Sequence, residues 1–193
     1  VGQTFTQADL IAGRVDYRHD GSETLTDGFR FEVQEGQGGR LAETAFAITV
    51  TPVNEPPVLT APERFSVLEE VDTPLPGFAV GDPEIGSGSI RVHLAVEHGQ
   101  ISLPELPGLQ FQNGRNHTAS MTLIGSVHRV NQALAELRYR GMRDFSGVDT
   151  LHVLVSDQGH DGTVPEATAG TTVSIQVASV ADTPLPGMDV IVP

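Results

Sequence analysis

Ile90, Val92, Leu94 and Val96 alternate with Arg91, His93 and Ala95, the period of a strand with one face in a core. The same alternation recurs in short runs along the chain. Phe29, Phe31 and Val33 share one face, and Ala45 to Thr51 forms a further strand. Phe65 to Leu68, Phe78 to Val80, Gln100 to Leu103 and Ala119 to Ile124 follow, then Thr150 to Ser156 and Thr171 to Ser179. Arg14 to Arg18, with Val15 and Tyr17 on one side, reads as a half-buried strand, as does Leu137 to Arg140. Only two stretches carry helical signals. Thr6 caps Gln7 to Ile11 with Asp9 three residues on and Gly13 as the stop. Ser126 caps a run in which Val127, Val130, Leu134 and Leu137 keep helical spacing.

Turn residues separate these runs, at His19 to Ser22, Gln34 to Gly39, Asp72-Thr73-Pro74, Gly81 to Gly88 and His98-Gly99. Pro52, Pro56 and Pro57 close another strand, because proline supplies no ladder donor. Short strands with a turn every 8–12 residues predict an all-β protein of immunoglobulin-like sandwiches, each with one short helix.

The pattern also repeats. Val15-Asp16-Tyr17-Arg18 returns as Leu137-Arg138-Tyr139-Arg140, at an offset of 139 − 17 = 122. The block from Asp27 to Val33 returns as Asp149 to Val155 at the same offset. Phe46 to Val50 returns as Val173 to Val177 at an offset of 127, so the extra residues fall in the intervening loop. These matches predict the back half of one module over residues 1–57, a complete module over 58–184, and the start of a further linker or module over 185–193. A half sandwich leaves an apolar face and a free edge, which an upstream half would cover.

Composition sharpens this picture. The 193 residues include 21 Gly and 13 Pro, with only 5% aromatics, so Val, Leu, Ile and Ala must build the core. There is no Cys, which excludes disulfides and thiolate chemistry. No run approaches the roughly 20 apolar residues of a membrane-spanning helix, so no membrane insertion by this segment is expected. The formal charge is −14, and all 11 basic residues are Arg. Such a surface repels nucleic acid and attracts metal cations, although charge also serves solubility.

Catalytic signatures are missing. The seven His form no H-E-x-x-H pattern, and no Ser sits in a G-x-S-x-G elbow, so no enzyme is expected. Glu69-Glu70 is a poor acid/base pair, since neighbours on a strand face opposite sides. Asn116-His117-Thr118 is a glycosylation sequon. The acids instead gather at strand ends: Asn54-Glu55 after one strand, Glu69-Glu70 after another, Asp82 and Glu84 in a glycine-rich loop, and Asp157 and Asp161 in one loop. Singly, each is an ordinary solvated loop residue. As a set of hard oxygen donors they suit calcium, which takes six to eight such ligands.

Two stretches resemble known repeats. Phe5 to Thr24 followed by Asp27-Gly28-Phe29-Arg30-Phe31 resembles the chondroitin sulfate proteoglycan (CSPG) repeat. Leu68 to Leu75, Val80 to Glu84 and Leu151 to Gly159 resemble the tandem cadherin-like repeats of large extracellular adhesins, and Val53 to Val58 resembles the linker of those arrays. The resemblance implies a secreted or cell-surface location, cell adhesion or extracellular-matrix roles, and calcium at the junctions. It implies Asn54, Glu55, Glu69 or Glu70, Asp82, Glu84 and Asp157 as ligands. Glu84 stands where Asp is commoner, and Ala181-Asp182-Thr183-Pro184 departs from the usual linker. The function implied is a calcium-stiffened spacer or adhesive module whose partners are neighbouring repeats. The alternative is a module binding a glycan or surface protein through loops at one sandwich end.

Overall fold

The computed structural model describes residues 4–51, 53–159 and 165–181. His160, Asp161, the 182–184 linker and the 185–193 segment lie outside the described residues. The chain forms two compact units, Val1–Val53 and Asn54–Pro193, dividing a few residues before the expected boundary at 57.

The first unit contains helix α1 (Gln7–Ile11) and the antiparallel pair β1 (Thr26–Gln34) and β2 (Arg40–Thr49). Thr6 closes a capping box on α1, receiving the Asp9 N–H while the Asp9 side chain accepts from the Thr6 N–H. Phe29 stacks on Phe46 with ring centroids 5.1 Å apart. The strand expected at Arg14 to Arg18 does not form, and these residues run as irregular backbone. A strand exists through its ladder, and no described residue of this unit pairs with that stretch.

The second unit follows the predicted strands closely. Its elements are β3 (Val58–Thr60), β4 (Arg64–Leu68), β5 (Thr73–Pro74), β6 (Ala79–Gly81), β7 (Ile90–Ala95), β8 (Gly99–Ser102), β9 (Gln110–Asn113) and β10 (Ser120–Gly125). Helix α2 (Val127–Leu134), β11 (Arg138–Gly141), β12 (Gly147–Ser156) and β13 (Thr168–Ala178) complete it. One sheet has the order β4-β13-β12-β7-β10-β9, a second β5-β11-β8, and β3 pairs with β6. Thr73-Pro74, expected as a turn, adds a short rung beside Arg138 and Tyr139.

Both sheets and α2 contribute to one core. Ile90, Val92 and Leu94 of β7, Leu151 and Val155 of β12 and Val173 and Ile175 of β13 are fully buried with Ile101 of β8 and Tyr139 of β11. The alternation of β7 is thus realised as buried and half-buried positions in turn. The architecture is the expected all-β sandwich.

The registers reproduce the sequence repeat. Asp27 pairs with Ile48 and Phe29 with Phe46, while Asp149 pairs with Ile175 and Leu151 with Val173. Both offsets read from the sequence therefore hold in space, and β1 and β2 correspond to β12 and β13.

Candidate functional site

The acidic positions of the second unit divide between two ends of its sandwich. At one end β12 finishes, β13 begins and the loop between β6 and β7 crosses, since Ser156 pairs with Arg91 at the start of β7. Asn54, Asp82, Glu84 and Asp157 all lie at this end. Asp157 is 2% exposed, and its Oδ1 accepts from the N–H groups of Gly159 at 2.8 Å and Ala167 at 2.9 Å. Asn54 Nδ2 donates to Asp157 Oδ2 at 2.5 Å and to the Pro165 carbonyl at 3.2 Å. Two acceptors on one side fix which way the Asn54 amide faces. Burial pushes the Asp157 carboxyl up, but the Gly159, Ala167 and Asn54 donors outweigh it and hold it below its ordinary value.

Asp82 starts the neighbouring loop. Its Oδ1 receives the N–H groups of Glu84 at 3.1 Å and Ile85 at 3.0 Å, closing an Asx turn that suits Asp-Pro. Its Oδ2 is shielded from solvent and has no hydrogen-bond partner among the described residues. Glu84 is half-buried in the same loop, and Glu55 is exposed. Gln158, at φ +60°, ties this loop to that of Asp157 by donating from Nε2 to the Ser89 carbonyl and Oγ, each at 3.0 Å.

Glu69 and Glu70 sit at the other end, because β4 runs parallel to β13 and both finish there. The length of β13, roughly 35 Å at the rise of a strand, separates them from Asn54. The expected ligands Asn54 and Glu69 or Glu70 therefore lie in two separate places. Glu69 is 5% exposed, with Oε1 accepting the Val180 N–H at 2.8 Å and Oε2 buried without a hydrogen-bond partner among the described residues. Glu70 adopts φ +56° and its N–H bonds to the Gly141 carbonyl at 3.3 Å. Among the described residues, no three His, Asp or Glu side chains converge closely enough to hold an ion by themselves.

A further carboxylate escaped the reading of acids at strand ends. Asp149 is completely buried, and its Oδ1 accepts from the N–H groups of Glu97 and Thr150 at 3.0 and 2.7 Å. Its Oδ2 accepts from the His98 N–H at 3.0 Å and the Tyr139 hydroxyl at 2.8 Å. Four donors satisfy it, so it clamps β11, β12 and the turn after β7 together. The signal was in the repeat, where Tyr and Asp recur in both copies. The sequon is similarly committed: Asn116 Oδ1 accepts the Leu103 N–H at 2.8 Å, and Thr118 Oγ1 donates to the Arg115 and Ser120 carbonyls.

Comparison with known proteins agrees with the repeat reading. Residues 1–50 match the model of the Cadherin-like family, and residues 84–163 match that of the Protein GAMETE EXPRESSED 2 domain. Chondroitin sulfate proteoglycan 4 of Homo sapiens is 34% identical over 60% of this chain, and Extracellular matrix protein 3 of Lytechinus variegatus is 25% identical over 94%. Extracellular matrix organizing protein FRAS1 of Homo sapiens is 37% identical over 35% of the chain. The chain spans only 5%, 7% and 2% of those three relatives' lengths. These relatives bear out the extracellular placement, and no described helix is long and apolar enough to cross a membrane. The two repeated units, their shared register and these matches together bear out the resemblance to CSPG/cadherin-like repeats.

Proposed function

We propose that this stretch is a non-enzymatic extracellular spacer, in which calcium at the Asn54–Asp157 end of the second sandwich stiffens the array. The neighbouring repeats of the same polypeptide are its partners. One observation carries the reading: the Asp82 carboxylate holds an oxygen out of water with no hydrogen-bond donor among the described residues. A buried unpaired carboxylate oxygen is costly, and a bound cation removes that cost. The net charge of −14 favours the same ion. Asp82 fits as a ligand, with Glu84 and Glu55 nearby in sequence or loop. Asp157 fits better as the anchor that holds Asn54, since three donors already occupy its oxygens. With few carboxylates gathered, backbone carbonyls and water complete the shell, which suits the roughly millimolar affinity of extracellular modules.

Thermal melts in 10 mM calcium and in EDTA test this. At about tenfold excess over the dissociation constant, binding adds about 1.4 kcal/mol, or a few degrees in Tm. Asp82→Asn should abolish the shift. An equal melting temperature in calcium and EDTA would sink the proposal.

A further inference from the structure

Across β4, β13, β12, β7, β10 and β9, the six strands of the large sheet, the only carboxylate is Asp149, and it is completely buried in the core. A chain with 25 acidic residues thus presents a broad outer sheet face that carries none. Glu97 follows β7 and Glu166 precedes β13, so these acids stand at the rim, where Glu166 pairs with Arg91 at 3.5 Å. The face is not purely polar, because Leu68, Val148 and Leu154 stand exposed on it. The corresponding face of the first unit is built differently. There Arg30 and Glu32 of β1 form ion pairs with Glu43 and Arg40 of β2, the first at 3.7 Å. At the two offsets of the repeat, Arg30, Glu32 and Glu43 become His152, Leu154 and Gly170. The second unit therefore lacks the cross-strand ion pairs that suit the first unit's face to water.

We propose that the outer face of the six-stranded sheet is the contact surface of a homodimer, packed against the same face of a second copy. Charge selects the occupant. Two chains of net charge −14 repel wherever their carboxylates approach, and this face lets them meet with none between them. Its cations are too few to hold a polyanion, since Arg64 and Arg91 are the only Arg residues in the six strands and Glu166 already engages Arg91. The area fits as well. Strands of 4 to 11 residues, about 4.8 Å apart, present roughly 650 Å² of sheet, so two copies bury about 1,300 Å², the size of a stable interface. A two-fold axis makes the patch self-complementary, and the two sheets pack with their strands about 30° from aligned. Leu68, Val148 and Leu154 lose their exposure to water in the contact. Neither end of the sandwich takes part, so the pairing is independent of calcium.

Sedimentation equilibrium of the full chain tests this, run in EDTA to keep it apart from the proposed calcium site. The mass should rise with concentration to twice that of the monomer. Leu154→Glu, which restores the first unit's residue, should weaken the dimer at least tenfold, and His152→Glu should do the same. Gln100→Glu, on the exposed side of β8 in the other sheet, adds the same charge and should weaken it less than twofold. All three positions are exposed, so the unfolding midpoints should not move. Raising salt from about 50 to about 500 mM should tighten the dimer, because it screens the repulsion between the two chains. The proposal is overturned if the chain stays monomeric at millimolar concentration, or if the dimer survives Leu154→Glu and His152→Glu. It is also overturned if Gln100→Glu costs as much as Leu154→Glu, if salt dissociates the dimer, or if a heparin oligosaccharide binds the monomer through this face.

Discussion

Tyr17–Asp27 and Tyr139–Asp149 are one interaction set in two surroundings. Each tyrosine donates to its aspartate across ten residues, at 2.9 Å and 2.8 Å, and each aspartate accepts the next residue's N–H at 2.7 Å. Yet Tyr17 is 45% exposed and Tyr139 is fully buried. The local motif forms without the surrounding sandwich, because its members lie close in sequence and share one strand entry. Its energetic weight comes from elsewhere. In the second unit β8 and the turn after β7 close over the pair, and water no longer competes for its hydrogen bonds. In the first unit the same bonds are open to solvent, and the strand expected at Arg14 to Arg18 has no ladder to join among the described residues.

The most direct way to break the comparison is to remove each aspartate. Asp149→Ala strands the Tyr139 hydroxyl and the N–H groups of Glu97 and His98 in the core. That should cost about 3–5 kcal/mol in urea unfolding of the second unit. Asp27→Ala should leave the unfolding midpoint of the first unit nearly unmoved. Comparable losses at both positions would mean that burial is not what separates the copies. Next in size is the paired truncation of the equivalent core positions. Leu151→Ala should cost about 2–5 kcal/mol, whereas Phe29→Ala, already half in water, should cost a small fraction of that.

Much of this was legible in the chain. The alternation from Ile90 to Val96 named a strand and its buried face correctly, because a half-buried strand writes its period directly into sequence. Ser126 and Thr6 marked both helix starts, since a cap is a local interaction. The misses were non-local. Arg14 to Arg18 has the pattern of β11, but pairing depends on strands that the pattern does not contain. Thr73-Pro74 has turn chemistry and nonetheless adds a rung, because Arg138 and Tyr139 lie beside it. The acids were found as a list, but their division between two ends depends on β4 running parallel to β13. Asp149 was passed over because a buried carboxylate and a solvated one are the same letter, and only its recurrence with Tyr139 distinguishes it.

The smallest effect is also the cleanest reading of the two environments, because the chain has two Tyr and no Trp. Burial first and the Asp149 carboxylate second raise the Tyr139 phenol far above its ordinary value of 10.0. Tyr17 is raised as well, by desolvation and then by Asp27, but it remains open to solvent. A raised phenol favours the neutral form in the folded state, so its stabilisation is present below pH 10 and is lost as pH climbs beyond it. Absorbance at 295 nm against pH should therefore give two steps. Tyr17 ionises first and reversibly, with the fold intact. Tyr139 ionises only as the second unit unfolds, so its step should coincide with loss of the β-sheet circular dichroism signal. Tyr139→Phe should remove that second step while leaving the first in place. Two phenols titrating together in folded protein would show that the second copy is as open to water as the first, and the contrast between the units would fail.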